Sequence, residues 1–273
     1  MTAVTQPMDH PRTTGTGIPL EKRGLAQQSL SVVWRNLLHI RRMPEMLMDV
    51  TIQPVMFVLL FAFVFGGSIA VAGSNYREFL LPGIMVQTIV FITVYTGVGL
   101  NTDIQKGLYD RFRSLPMWQP APILGALTGD LFRYSVASSL IIGLGLILGF
   151  RPAGGAVGVL LAFGLVLVFA VSVSWIWIIF GMKVKTPESV MTTSFVFLMP
   201  LTFASNIFVK LETMPAWLQA IVRHNPVTHL TNASRALMHG TPAGPDVVWV
   251  LVASAVIVAI AAPIALRMYY QER

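Results

Sequence analysis

The sequence contains no cysteine and few charged residues. Charged side chains make up 11% of the 273 residues, whereas a soluble domain carries about 25%. The absence of cysteine excludes disulfides and zinc–thiolate sites. The scarcity of charge excludes a disordered chain and most soluble globular folds. Hydrophobic residues make up 55% of the chain and the mean hydropathy is +0.69, a composition typical of a polytopic membrane protein.

Motifs for nucleotide binding and for hydrolytic catalysis are missing as well. The sequence has no GxxxxGKS/T phosphate loop, no HExxH and no GxSxG. We therefore expect no ATP binding by that motif, no cofactor on this chain and no enzymatic activity of its own. Metal-ligand spacing is also lacking, so we predict no metal site. The histidines concerned are His10, His39, His224, His229 and His239.

Carboxylates are absent from the middle of the apolar stretches. Asp49, Asp103, Asp130 and Glu188 all fall at the ends of such stretches. Proton-coupled transporters usually need a carboxylate or histidine relay inside the membrane. This distribution argues against a proton-driven antiporter and predicts an energy source outside the membrane.

Six long uncharged stretches organise the chain. A helix needs about 20 apolar residues to cross a bilayer, and five of the stretches reach that length alone. Tyr134–Phe150 reaches it by extending back to Leu131, with Arg133 snorkelling to the interface. Short alternating strands of a β-barrel are excluded. We predict an all-α fold with six transmembrane helices, at Val50–Tyr76, Phe79–Thr102, Tyr134–Phe150, Pro152–Met182, Ser189–Val209 and Val247–Leu266.

Positive charge is distributed unevenly between the two sides of this topology. Most of the 19 Lys and Arg residues fall in the N-terminal segment, in the loops after the second and fourth stretches, and in the C-terminal tail. Cytoplasmic segments are the ones enriched in these residues, so we predict that both termini are cytoplasmic. The net charge of +7 then follows from topology, and no nucleic-acid partner is predicted.

The N-terminal region contains two predicted segments. Residues 1–20 are rich in Thr, Pro and Gly and are predicted to be disordered, which leaves residues 21–273 as one transmembrane domain. Leu25–Arg42 repeats apolar residues with a helical period and carries basic residues around them, which predicts an amphipathic helix at the membrane interface. Membrane anchoring is its simplest role, and contact with a cytoplasmic partner is the alternative. Its marker residues are Trp34, Arg35, Arg41 and Arg42.

Two polar connections stand out. Asn101–Asp130 is the longest polar segment between spans; it is either a solvated connection, which composition alone favours, or a short helix that docks on a soluble subunit. Lys210–Asp246 is too polar to span and too apolar for a free loop. Its two short helical patterns, broken at Asn225-Pro226, predict a re-entrant hairpin in the outer leaflet before the last span, with a surface cap as the alternative.

Aromatic and methionine residues concentrate in the first, second and fifth stretches. Packing in the core or against lipid is the usual explanation. The alternative is an adaptable wall for a bulky amphipathic substrate, because these side chains repack easily. The candidate residues for such a path are Phe57, Phe61, Met85, Phe91, Tyr95, Phe195, Met199 and Phe203.

From about Ala26 to the C-terminus, the order and spacing of several segments resemble one family. They are PEMLMDVTIQPVMF (Pro44–Phe57), FLLPGIMVQT (Phe79–Thr88), GLYDRFRSLPMW (Gly107–Trp118), GFRPAGG (Gly149–Gly155), SWIWIIFG (Ser174–Gly181), PLTFASNIFV (Pro200–Val209), TMPAWLQA (Thr213–Ala220) and NPVTHLTNASRALMHG (Asn225–Gly240). Taken together they resemble type-2 ABC exporter permeases, the ABC-2 family, of the daunorubicin/doxorubicin resistance (DrrB-like) kind. Residues 210–212 (KLE) depart from the pattern, in which a link containing Asp and Pro is expected.

The resemblance implies a permease subunit with six transmembrane helices and an interfacial N-terminal helix. It implies two permease chains, as a homodimer, and two separate ATPase subunits that bind ATP and Mg. The substrate would be an amphipathic compound, such as an anthracycline-like drug, exported from the cytoplasm or inner leaflet across the plasma (inner) membrane. The loop would dock on the ATPase, and the residues assigned to this contact are Asp103, Lys106, Asp110, Arg111, Arg113 and Trp118.

Three alternatives to a drug exporter remain open from the sequence. A lipid or glycolipid exporter of the same architecture would share every residue named above. A membrane enzyme would need converging catalytic groups, which the sequence does not present. A non-transporting membrane assembly factor would show no substrate-dependent ATP hydrolysis in its complex.

Overall fold

The structure of the protein is a computed structural model that describes residues 52, 54–60, 76–108, 121–209 and 211–271. Within these ranges the chain is helical and contains no β-strand, which confirms the all-α prediction. Residues 54–60 are helical, and a 3₁₀ turn spans Leu211–Thr213. The remaining helices are α1 (Tyr76–Ile92), α2 (Val94–Gln105), α3 (Ala121–Ile147), α4 (Gly155–Lys183), α5 (Pro187–Phe203), α6 (Ala216–Arg223), α7 (Pro226–His239) and α8 (Gly244–Gln271).

Several predictions fall outside the described residues. These are the disordered tail at residues 1–20, the interface helix with Trp34, Arg35, Arg41 and Arg42, most of the first predicted span, and residues 109–120 of the polar loop. The single transmembrane domain at residues 21–273 therefore stays a prediction.

Four helical segments of the described chain are long and apolar enough to cross a membrane. They are Glu78–Gln105, formed by α1 and α2 together, Pro122–Ile147, Gly155–Lys183 and Gly244–Tyr270. They overlap the second, third, fourth and sixth predicted stretches, and the protein is a multi-pass membrane protein. Helix α5, at 17 residues, is about 25 Å long, somewhat short of the hydrocarbon thickness of about 30 Å. A total of six spans stays a prediction.

The helix that contains the third predicted stretch begins earlier than that stretch. The sequence placed it at Tyr134, or at Leu131 with snorkelling, whereas α3 begins at Ala121 and the apolar segment at Pro122. Ile123 and Leu127 are buried in this added part of the helix. Asp130 lies within the same helix, where Thr96 and Arg133 bind its carboxyl group. One carboxylate therefore lies inside a helical segment that is long and apolar enough to cross a membrane.

Helix α4 packs against α2, α7 and α8. Glycines allow two of these contacts. A Cβ atom at Gly97 would collide with the Trp177 carbonyl oxygen, and one at Gly158 with the Leu237 carbonyl oxygen. Small residues of this kind let membrane helices approach closely. They place the backbone of α4 directly against α2 and α7.

Hydrogen bonds show which parts of the chain lie beside each end of α4. The Gly154 N–H donates to the Met238 carbonyl at 2.8 Å, so the α3–α4 turn meets the end of α7. At the other end, the Asn101 side-chain amide donates to the carbonyls of Gly181 and Val184, and Gln105 donates to that of Lys185. The α4–α5 turn therefore adjoins the end of α2.

Candidate functional site

The structure separates the predicted path residues into buried and exposed groups. Met85 is completely buried, whereas Phe57, Phe91 and Tyr95 are half-buried against the core. The exposed group lies on α5, where the exposed fractions of Phe195, Met199 and Phe203 are 42%, 42% and 59%. Phe61 lies outside the described residues.

Ring contacts join the exposed aromatics of α5 to α1 and α4. The ring centroids of Phe91 and Phe195 are 5.7 Å apart. Phe197 lies 6.0 Å from Phe180, which is itself 5.7 Å from Trp177. We call Phe91, Phe180, Phe195, Phe197 and Phe203 the α5 wall. Aromatic pairs at these separations add apolar contact area between the helices.

The far end of α5 is fastened by Asn225, which sequence reasoning used only as a helix break. Its side-chain oxygen accepts from the Val227 N–H at 2.8 Å and so caps α7. Its amide nitrogen donates to the carbonyls of Leu201 and Ala204 at the end of α5. One buried side chain therefore satisfies backbone groups of two helices.

Arg235 of α7 holds the segment after α5 against α1. Its guanidinium donates to the carbonyls of Phe79, Asn206 and Ile207 at 2.8–2.9 Å. It also lies 3.6 Å from the centroid of the Phe79 ring, a cation–π contact. The sequence signal was an arginine inside an otherwise weakly charged segment, NPVTHLTNASRALMHG. Asn225 and Arg235 fix the end of α5 and the segment after it relative to the wall.

The predicted coupling residues are described only in part. Asp103 and Lys106 are exposed at the end of α2, on the same side as the α4–α5 turn. Asp110, Arg111, Arg113 and Trp118 lie outside the described residues.

A buried polar cluster, missed by the sequence interpretation, links α2, α3 and α4. Thr96 Oγ1 lies 2.6 Å from Asp130 Oδ2 and 3.1 Å from the Tyr134 hydroxyl, which in turn lies 2.8 Å from Ser174 Oγ. Arg133 Nη1 is 3.2 Å from Asp130 Oδ1. Only the tertiary structure reveals this cluster, because its members come from three separate segments.

Comparison with known sequences decides the family. Residues 27–239 match the family model for ABC-2 type transporters. The chain is also 49% identical over 241 residues to the daunorubicin resistance ABC transporter permease protein DrrB1 of Streptomyces coeruleorubidus, covering 88% of this chain and 85% of that protein. This chain belongs to the ABC-2 transporter family.

More distant ABC-2 relatives cover most of the chain as well. The probable doxorubicin resistance ABC transporter permease protein DrrC of Mycobacterium tuberculosis is 22% identical, with 79% of this chain and 78% of that protein aligned. The putative transport permease ycf38 of Cyanophora paradoxa is 26% identical, with 77% and 74% aligned. The permease resemblance drawn from the sequence is confirmed. The relatives of this ABC-2 family member are named as permeases.

Proposed function

We propose that this permease is the membrane subunit of an ATP-driven exporter of amphipathic compounds, with anthracycline-like drugs as the substrate class. The observation that carries the proposal is the 49% identity to DrrB1 across most of both chains. The α5 wall supports it, because exposed aromatic side chains suit a flat hydrophobic substrate.

The proposed assembly is a homodimer of permeases with two ATPase subunits that bind ATP and Mg. It lies in the plasma (inner) membrane, where each permease has six spans, both termini in the cytoplasm and a re-entrant hairpin formed with α6 and α7. The interface helix marked by Trp34, Arg35, Arg41 and Arg42 rests on the inner leaflet. These features follow from charge distribution, hydropathy and family membership.

In the proposed cycle, closure of the ATPase subunits pushes on the loop from Asp103 to Trp118. Because α2 and α3 flank this loop, the push is transmitted to the membrane helices, and the α5 wall is exposed alternately to the two sides. Nucleotide binding can drive the change only if its contacts differ between the two states. Charged loop residues that contact the ATPase in one state meet this requirement.

Transport by a reconstituted complex tests the function. The permease is assembled with its candidate ATPase in liposomes, and ATP-dependent movement of a fluorescent anthracycline is measured. Movement that stops with a hydrolysis-deficient ATPase is the expected result. A complex that hydrolyses ATP but moves no drug would instead favour a lipid or glycolipid substrate. Failure to bind any ATPase would contradict the transporter proposal.

The α5 wall is tested by truncating one exposed aromatic. Phe203→Ala should lower anthracycline transport several-fold while ATPase binding is retained, because the substrate loses apolar contact area. Ile260→Ala on α8 is the matched control, since Ile260 is 58% exposed and Phe203 59%. Equal transport by both variants would remove α5 from the substrate path.

The coupling loop is tested by reversing its charge. The double variant Arg111→Glu/Arg113→Glu should no longer co-purify with the ATPase, or drug should no longer stimulate its ATP hydrolysis. Both substitutions replace a cation that faces proposed ATPase carboxylates. Arg223→Glu, at an exposed position of α6, is the control and should assemble normally. Normal assembly and transport by the double variant would show that these arginines are not the contact.

A further inference from the structure

One face of α2 contacts α4 and the α4–α5 turn along the whole length of the helix. Its residues recur every four positions, which places them one above another on the same side. They are Thr93, Gly97, Asn101 and Gln105. Thr93, directly before α2, accepts a hydrogen bond from Trp177 Nε1 at 2.9 Å, and Gly97 lies against the backbone of Gly181. Each turn of α2 is therefore attached to α4 or to the residues that follow it.

The last two residues of this face hold the α4–α5 turn through their side-chain amides. Asn101 Nδ2 donates to the carbonyl oxygens of Gly181 and Val184, at 2.8 and 2.6 Å. Gln105 Nε2 donates to the carbonyl oxygen of Lys185 at 2.7 Å. The last carbonyls of a helix lack a partner within it, and the chain is extended at Val184. We call Asn101 and Gln105 the α2 clamp, because they supply donors to the backbone of this helix end and turn.

The clamped turn leads directly into α5. Thr186 alone separates Lys185 from the helix, and it caps α5 by accepting from the Ser189 N–H at 3.2 Å. The first residue of the helix is Pro187, whose ring fixes φ. Helix α5 also packs against α2. A displacement of the end of α2 would therefore move the start of α5 as well.

On its other side, the clamp adjoins the loop that is proposed to dock on the ATPase. Asp103 and Lys106, the first two residues assigned to that contact, flank Gln105 in the sequence. Coupling between distant sites is carried by hydrogen-bond networks and rigid elements. We propose that Asn101 and Gln105 are positioning residues that transmit movement of this loop to α5 and its aromatic wall. This rests on the proposed function, because it requires an ATPase that pushes on the loop.

The two residues of the clamp differ in burial, which decides how they can be tested. Asn101 is 3% exposed, and a hydrogen bond away from water is electrostatically stronger than one in water. Gln105 is exposed, so its amide can be removed without opening the core. Asn101→Leu should therefore weaken the clamp more, whereas Gln105→Met removes one donor at nearly constant length and charge. Gln105→Met decides the test if Asn101→Leu does not fold.

Mobility of the turn tests the clamp in the purified full-length permease, without an ATPase or a substrate. A spin label on Lys185→Cys reports on the turn and keeps the backbone carbonyl that Gln105 binds. Gln105→Met should make this label more mobile. Gln219→Met is the matched control, because the Gln219 amide also donates to a backbone carbonyl, that of Met214 at 2.9 Å, away from the turn. Unchanged mobility in the clamp variants would overturn the proposal.

Transmission is tested in the complex with a hydrolysis-deficient ATPase. Spin labels on Val196→Cys of α5 and Val256→Cys of α8, at positions 66% and 49% exposed, measure the distance between these helices. Addition of ATP should change this distance when the clamp is intact and in Gln219→Met. The change should be lost in Gln105→Met, although this variant still binds the ATPase and ATP. A full change in the clamp variants, or none with the clamp intact, would refute the transmission.

The outcomes separate this proposal from the proposed function. If ATP changes the distance but no drug is transported, the substrate class is wrong and the role of the clamp stands. If drug is transported equally by the wild-type protein and by Gln105→Met, the function stands and the clamp is not part of the coupling. A permease that binds no ATPase would overturn both, and co-purification reveals this before any distance is measured.

Discussion

At the residue scale, Asn225 differs from an ordinary helix cap in what its amide does. Asn and Asp are about equally good at exposed N-caps, because only an acceptor oxygen is required. The Asn225 amide nitrogen also donates to the carbonyls of Leu201 and Ala204 at 2.7 and 2.6 Å. A carboxylate there would place negative oxygens against those carbonyls. The residue is therefore needed both as donor and as acceptor.

Replacement of Asn225 by Asp should consequently be destabilising, by about 1–3 kcal/mol, although it preserves the cap acceptor. Thr186→Asp is the control, because Thr186 caps α5 by accepting from the Ser189 N–H in an exposed turn and an Asp oxygen can replace it. Thermal unfolding in detergent measures both. An Asn225→Asp variant as stable as the control would show that the links to α5 contribute little.

At the element scale, the contact between α2 and α4 depends on two facing glycines. A Cβ atom at Gly97 would meet the Trp177 carbonyl, and one at Gly181 would lie 2.5 Å from the Gly97 carbonyl. Around this contact, Trp177 Nε1 donates to Thr93 Oγ1 at 2.9 Å, and Asn101 donates to the Gly181 carbonyl at 2.8 Å. Both bonds depend on the same close approach of the helices.

A methyl group at Gly97 should therefore separate the two helices. We expect Gly97→Ala to cost about 1–3 kcal/mol through overpacking. Gly99→Ala on the same helix is the control, because an added Cβ there has no atom within 4 Å. The two melting temperatures are compared in the same detergent. If Gly97→Ala and Gly99→Ala have the same melting temperature, the close approach of α2 and α4 does not limit stability.

The start of α3 shows why an element boundary was misplaced. Charge and polarity around Asp130 and Arg133 indicated the end of a loop, and a sequence does not reveal that Thr96 and Ser174 will meet this region. Once Asp130 is bound by Thr96 and Arg133, the preceding Ile123 and Leu127 can be buried in the same helix. The helix with its tertiary partners thus reaches beyond the apolar stretch seen in the sequence.

At the scale of the whole molecule, the absence of cysteine allows a direct test of topology. The α3–α4 turn lies at one end of α4 and the α4–α5 turn at the other. Positive charge predicts that the first is outside the cell and the second inside. Ala153 and Lys185 are exposed positions in these two turns.

We expect Ala153→Cys to react with a membrane-impermeant maleimide in intact cells, and Lys185→Cys to react only after the cells are opened. The cysteine-free wild-type protein is the blank, because it contains no other thiol. Labelling is read on the purified protein. The reverse pattern would invert the proposed orientation of the transporter.

The sequence by itself determined the environment, the helical class and the family of this protein. In lipid, a run of apolar residues must form a helix to satisfy its backbone hydrogen bonds, whatever it packs against. The segments that carry the family resemblance are short stretches of sequence and can be read without the fold. Tertiary structure decided where α3 begins, which predicted path residues are exposed, and how Asp130, Asn225 and Arg235 are satisfied. These depend on side chains that are distant in sequence, so the hydrogen bonds and close contacts that set their roles exist only once α2, α3, α4 and α7 have packed together.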